Sequence, residues 1–281
     1  MRLYPALRIV STGARIEPEL VLAELDSFQP TAIEELANGL RAFFASTAAR
    51  DAALAVFASR DDVSCVAEDV PDEHWAERSQ AALTPATVGR LTIAPPWAVT
   101  DDLRAHAPGP VIVIQPSMGF GTGHHASTRL CLQLLQQLDL TGASVLDIGT
   151  GSGVLTIAAH VLGAARVVGI DVDPDALANA RENLALNEIT AGVSFVESGA
   201  RAHATSAPQR YGVILANLTG ALLIREADAM TELAGPVAVL ITSGFQDHET
   251  EDVKGAFVAR GWRATSEAGA ETWKAVVFRR G

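Results

Sequence analysis

From residue 97 onward, short apolar runs bounded by Gly, Pro, Asn or Asp alternate with stretches in which apolar residues recur every three or four positions. Buried strands interleaved with amphipathic helices are the pattern of a parallel α/β sheet. Strands are predicted at Val111–Ile114, Arg166–Ile170, Tyr211–Ala216 and Val237–Thr242, with Thr272–Arg279 closing the sheet. Helices are predicted at Ala126–Leu138, where Leu130, Leu134, Leu135 and Leu138 share a face, and at Pro174–Asn187. Between them, Val145–Ala159 reads as strand, tight turn and helix.

The first 68 residues read as a separate unit. Strands are expected at Leu3–Val10, Thr31–Leu36, Gly39–Phe44 and Val63–Ala67, with helices at Pro18–Phe28 and Ala48–Ser59. Asn38-Gly39 is a hairpin signal between the second and third strands. The order βαββαβ is that of a small ferredoxin-like α+β domain. Residues 69–96 read as a linker with some structure of its own, holding an acidic helix-compatible segment around Trp75 and a short strand, Leu91–Ala94. The parallel α/β domain then runs from 97 to 281.

Composition narrows the class. With 281 residues, 48% hydrophobic and 19% charged, the chain is globular and can bury a sizeable core. Its apolar runs are strand-length, far short of a membrane span, and the start shows no secretory signal. Cys65 and Cys131 make no disulfide framework, and no zinc-ligand spacing is present, so no metal is expected and a cytoplasmic location fits. A net charge of −12 without a Lys/Arg cluster argues against direct nucleic-acid binding and suits a basic polypeptide partner.

The chemistry concentrates in the turn Gly149-Thr-Gly-Ser-Gly153. It follows a strand that carries Asp147, and about twenty residues later the next strand ends at Asp171, the position of a ribose-binding acid. The glycines alternate, and Val154 stands where a dinucleotide fingerprint has its third glycine. No Gly-Lys-Ser/Thr follows, which excludes a P-loop. This constellation resembles S-adenosylmethionine-dependent methyltransferases. Two further segments flank the turn. Gly119-Phe-Gly-Thr-Gly-His-His-Ala-Ser-Thr128 is a second Gly-rich loop opening a helix, with Ser127 and Thr128 as hydroxyl donors. Ala216-Asn-Leu-Thr219 ends a strand, so Asn217 lies beyond the carboxyl end of the sheet, where ligands bind in such folds.

Taken together, the Gly119–Cys131 loop, the glycine turn, Gly169-Ile-Asp-Val-Asp-Pro-Asp-Ala176 and Ala216-Asn-Leu218 resemble the bacterial ribosomal protein L11 methyltransferase family. Glu73-His-Trp-Ala-Glu77, Leu91-Thr-Ile-Ala-Pro-Pro-Trp97 and Glu271-Thr-Trp273 extend the likeness over residues 70–281. The resemblance implies a doubly wound, mainly parallel seven-stranded sheet, the Rossmann-like class I methyltransferase fold, behind a substrate-recognition domain. It implies S-adenosyl-L-methionine as cofactor and Thr128, Gly149, Gly151, Asp171 and Asn217 as cofactor contacts, with Asn217 beside the transferred methyl. The implied acceptors are lysine side chains and the N-terminal amine of ribosomal protein L11. The chain departs from the family pattern at His125-Ala-Ser-Thr128, where His-Pro-Thr-Thr is more usual, at Thr150 in place of Cys, and at Asn217-Leu-Thr-Gly220 in place of Asn-Ile-Leu-Ala. The last departure falls on the acceptor side.

A lysine acceptor, with an ordinary pKa of about 10.4, must lose a proton before it attacks a methyl. His124 and His125 are the candidates to assist, with anchoring of their loop as the alternative role. Asn217-Leu-Thr lacks the proline and aromatic of loops that stack on planar acceptors, which disfavours a nucleobase or amide. Another protein's lysine, a small-molecule amine, or a non-catalytic cofactor-binding module are the alternative readings.

Overall fold

The structure is a computed structural model that describes residues 3–11, 21, 25, 28, 30–36, 39–60, 62–71, 83–116, 123–206 and 209–281. The chain divides into two compact units, residues 1–82 and 83–281.

In the first unit, β1 (Leu3–Ser11), β2 (Ala32–Leu36), β3 (Gly39–Phe43) and β4 (Val63–Pro71) form an antiparallel sheet in the order β2-β3-β1-β4. This is the strand order of a ferredoxin-like sandwich. Side chains alternate across the sheet as the two-residue period requires. Leu7, Ile9, Leu40 and Ala42 face the core with Ala53 and Phe57 of α1 (Thr47–Phe57). On the opposite face, Glu68 forms an ion pair with Arg8 and accepts from Arg41, and Arg41 also reaches Glu34. Leu36 pairs with Gly39, so Gly39 belongs to the strand rather than to the turn. The helix expected over 18–28 falls largely outside the described residues, although Val21 and Leu25 are buried in this core. The segment around Trp75 also lies outside them.

The second unit begins earlier than residue 97. β5 (Ala86–Val88) and β6 (Leu91–Ala94) form a hairpin, and β7 (Val111–Val113) pairs parallel to β6. All four residues of β6 are buried, because this hairpin packs into the main core of the second unit. Gln136 pins it, accepting from the Arg90 amide and donating to the Val88 carbonyl. The expected linker is therefore part of β4 at one end and part of the second unit at the other. A short helix, α2 (Asp101–His106), precedes β7.

The main sheet holds β8 (Ser144–Ile148), β9 (Arg166–Asp171), β10 (Val193–Glu197), β11 (Tyr211–Asn217), β12 (Ala234–Gln246), β13 (Trp262–Ala270) and β14 (Trp273–Arg280). Their order is β10-β9-β8-β11-β12-β14-β13, with β14 alone running antiparallel to the other six. Val145, Leu215, Ile241 and Val277 point to one face, covered by α3 (Ala126–Leu135) and α4 (Val154–Val161). Leu146, Ile214, Leu240 and Phe278 point to the other, covered by α7 (Gly220–Leu233) and α8 (Thr250–Val258). The remaining helices are α5 (Pro174–Leu186) and α6 (Ala200–Ser206). Helix α3 stops three residues short of Leu138, because the amides of Gln137 and Leu138 turn back to the carbonyls three residues earlier. No helix among the described residues is long and apolar enough to cross a membrane.

Candidate functional site

The chain runs β8 to β9 to β10 in one direction across the sheet, then returns to place β11 on the other side of β8. Such a reversal opens a crevice at the carboxyl ends of the strands. Register puts three expected residues in one row there. Ile148 pairs with Ile170 on one side and with Ala216 on the other, so the next residues, Gly149, Asp171 and Asn217, lie level on three adjacent strands.

The turn after β8 takes left-handed conformations at Gly149, Gly151 and Gly153, with φ of 71°, 53° and 80°. Only glycine adopts these without strain. At Gly149 a Cβ would also lie 2.5 Å from Leu218 Cδ2, so a side chain there would displace the end of Leu218. The amides of Gly149 and Thr150 both donate to the Ile170 carbonyl, which holds the turn against the end of β9. Gly151 N donates to Asp171 Oδ2 at 3.0 Å, and Asp173 N to Asp171 Oδ1 at 3.1 Å. Two backbone donors thus fix the plane of this partly exposed carboxylate and leave each oxygen a further lone pair.

Asp147 has a different place from the one its sequence position suggests. It lies beneath the turn, 1% exposed, accepting from Thr150 Oγ1 at 2.7 Å and Thr156 Oγ1 at 2.8 Å. The two hydroxyls are themselves 2.9 Å apart. Thr150, one of the departures from the family pattern, is therefore a structural donor that ties turn, strand and α4 together.

On the other side of β8, Thr128 is buried in the first turn of α3 and accepts from Asn217 Nδ2 at 3.1 Å. Asn217 Oδ1 is buried and has no hydrogen-bond partner among the described residues. His125 caps α3, accepting from the Ser127 amide, with its ring edge-on to Trp273 at 4.6 Å. His124 Nε2 lies 2.7 Å from the Thr84 carbonyl oxygen, where a ring nitrogen can only donate. The ring thereby fastens the end of the Gly-rich loop to the chain before β5. The earlier part of that loop, 117–122, is outside the described residues. At Gly220 a Cβ would meet the Glu249 carboxylate, so the glycine in place of the usual alanine admits that side chain to the start of α7.

The structure brings together Gly149, Gly151 and Asp171 on one side and Thr128 with Asn217 on the other. A family model for ribosomal protein L11 methyltransferases matches residues 8–281. The chain belongs to the ribosomal protein L11 methyltransferase family. A member from Geobacter metallireducens is 37% identical over 212 residues, covering 75% of this chain and 67% of the relative. One from Deinococcus radiodurans is 37% identical over 218 residues, covering 74% and 78%. A solved ribosomal protein L11 methylase from Lactobacillus delbrueckii subsp. bulgaricus has the same fold, with a TM-score of 0.64 at 24% identity, over 71% of this chain and all of that one.

As a class I methyltransferase of this family, the protein uses S-adenosylmethionine. The site fits it. The three left-handed glycines leave the backbone of the turn bare of side chains at Gly149, Gly151 and Gly153, and the Asp171 carboxylate beside it has free lone pairs. No cluster of three or more metal-ligating side chains occurs among the described residues.

Burial pushes the Asp147 carboxyl up to about 6, with the Asp171 charge adding to the rise and the threonine hydrogen bonds opposing it. A folded-state value above the ordinary one means the folded protein holds the proton more tightly, so this group's contribution to stability falls as pH rises from about 4 to about 6. Asp147→Asn is expected to remove that component, so the stability difference between variant and wild type shifts in the variant's favour across the same window. Urea unfolding at both ends of the window checks this. A pH-independent difference would mean that Asp147 is not protonated more readily when folded.

Three asparagines escaped the sequence reading. Asn179, Asn183 and Asn187 project from one face of α5 onto the backbone of residues 113–115. Their spacing of four was the available signal, but a polar helix face ordinarily reads as solvent-facing.

Proposed function

We propose that the protein methylates amines of a basic protein, namely lysine side chains and the N-terminal amine of ribosomal protein L11, in the cytoplasm and without direct nucleic-acid contact. The observation that carries an amine acceptor is Asn217 Oδ1, a buried acceptor at the crevice with no partner among the described residues. Leaving such an atom unpaired costs about 1–3 kcal/mol, which an incoming N–H recovers. Thr128 holds the other end of the same carboxamide and so aims the oxygen. The loop Asn217-Leu-Thr219 offers no aromatic plate for a planar base. The net charge of −12 favours approach of a basic target.

S-adenosylmethionine supplies an activated methyl on its sulfonium. Asp171 would hold the ribose hydroxyls, Gly149 and Gly151 would present backbone to the methionine portion, and Thr128 would bind its amino-acid end. Asn217 accepts an N–H of the amine and turns the nitrogen lone pair toward the methyl. Once a lysine acceptor has lost its proton, the remaining task is orientation and exclusion of water. His124, through Thr84, anchors the segment that leads into α3. Residues 1–82 form the substrate-recognition domain.

Incubation of L11 with the enzyme and S-adenosylmethionine, followed by peptide mass mapping, is expected to place methyl groups on lysines and the N-terminal amine. Modification of other residue types only would contradict the amine assignment. Modification of a different protein or a small amine, with L11 untouched, would contradict the target. Deleting residues 1–82 is expected to abolish L11 methylation with cofactor affinity nearly unchanged; an active truncated protein would remove the recognition role.

A further inference from the structure

The chain entering the Gly-rich loop is held from two sides. Ile114 N donates to the Ala94 carbonyl, and Thr92 N to the Pro110 carbonyl, so one edge of residues 110–114 pairs with β6. The opposite edge has no strand beside it among the described residues. The carboxamides of α5 take that place. Asn187 accepts from Val113 N at 2.8 Å and donates to Val113 O at 2.7 Å. One helical turn earlier, Asn183 accepts from Gln115 N at 2.7 Å, and a further turn back Asn179 donates to Gln115 O at 3.4 Å. Alternate residues of an extended segment present their backbone groups to the same side, and residues four apart on a helix share a face. A helix carrying asparagines four apart can therefore pair with a strand as another strand would.

Asn183 does more than its neighbours. It is fully buried, and its Nδ2 donates to the carbonyl of Ser152 at 2.8 Å, within the glycine turn. Ser152 stands between two left-handed glycines, and the amide of the first donates to Asp171. Asn179 Oδ1 completes the set, accepting from Asn183 Nδ2 at 3.3 Å. A buried carboxamide with both ends satisfied rigidifies what it joins, and its loss leaves buried partners unpaired.

We propose that Asn183 is a positioning residue for the cofactor site: one carboxamide locks the Ser152 carbonyl of the glycine turn to the Gln115 amide at the entrance of the Gly-rich loop. The two segments that flank the cofactor are thereby set against each other before it binds. Asn187 pairs with Val113 and donates to the Asn183 backbone carbonyl but makes no bond to the glycine turn, and it serves as the internal control. The inference rests on the assignment of the turn as the S-adenosylmethionine site.

The test compares Asn183→Ala, Asn183→Asp and Asn187→Ala in the full-length protein. Asn183→Asp retains the acceptor for Gln115 N and loses the donor to Ser152 O. The readouts are the thermal midpoint, the S-adenosylmethionine Kd by calorimetry, and hydrogen exchange of the Gln115 amide without cofactor. Both alanine variants are expected to lower the midpoint. Only the Asn183 variants are expected to weaken cofactor binding, by roughly fivefold or more for one buried hydrogen bond. Gln115 exchange is expected to accelerate in Asn183→Ala, and to stay nearer wild type in Asn183→Asp. Cofactor affinity equal in Asn183→Asp and wild type, or equally weakened by Asn187→Ala at a matched loss of midpoint, would overturn the proposal. Failure of the wild type itself to bind S-adenosylmethionine would instead overturn the site assignment, and the proposal with it.

Discussion

Asp171→Ala is expected to weaken S-adenosylmethionine binding by about a hundredfold or more, since charge-assisted hydrogen bonds contribute about 1.5–3 kcal/mol each and two ribose hydroxyls are lost together. The side chain also organises its own surroundings. Its oxygens receive Gly151 N and Asp173 N, so the alanine variant frees the second glycine of the turn and the chain entering α5. Asp171→Asn keeps the shape but can accept on one oxygen only, and its NH₂ faces a backbone donor. It is expected to fall between wild type and alanine. Calorimetric titration checks both. An alanine variant within about threefold of wild type would mean that Asp171 does not hold the ribose, because threefold is less than one ordinary hydrogen bond contributes.

Asn217→Ala is expected to lower kcat by about ten- to a hundredfold, with a smaller effect on cofactor Kd, because one aimed acceptor near the reacting amine is removed while the glycine turn and Asp171 stay intact. Asn217→Asp separates aiming from charge. Its carboxylate can still accept from the amine and from Thr128 Oγ1, which reverses that hydrogen bond. A negative charge beside an amine also favours its protonated form, and an ammonium has no lone pair to donate. The aspartate variant is therefore expected to recover activity only toward higher pH, its rate profile displaced to the alkaline side of wild type. A single-turnover pH series reads this directly. An aspartate variant with an undisplaced profile would contradict contact between residue 217 and the acceptor nitrogen.

The parts legible in the sequence are those whose physics is local. The β8-turn-α4-β9 unit could be read from Val145 to Asp171, because left-handed turns need glycine and a buried parallel strand needs a continuous apolar run. Asn217 was placed by the rule that ligands lie past strand carboxyl ends, and the register then put it level with Gly149 and Asp171. Asp147 shows the limit. Its distance from the turn is the same whether it faces ligand or core, and only packing against Thr150 and Thr156 shows that it lies inside. Strand β13 was not predicted, since as an edge strand it is largely exposed and lacks an apolar run. The β5–β6 hairpin looked like linker because it is held by Gln136 at the end of α3, 46 and 48 residues from its partners in sequence. The asparagines of α5 carry no mark of burial in composition, and their role exists only once β7 lies beside them.

The most direct measurement is methyl transfer from labelled S-adenosylmethionine to ribosomal protein L11, run beside Asp171→Ala at a cofactor concentration that saturates only the wild type. Label on lysine and N-terminal amines with wild type, lost in the variant, is the predicted result. Equal labelling by both proteins would contradict the cofactor site, and an unlabelled L11 with intact cofactor binding would contradict the target.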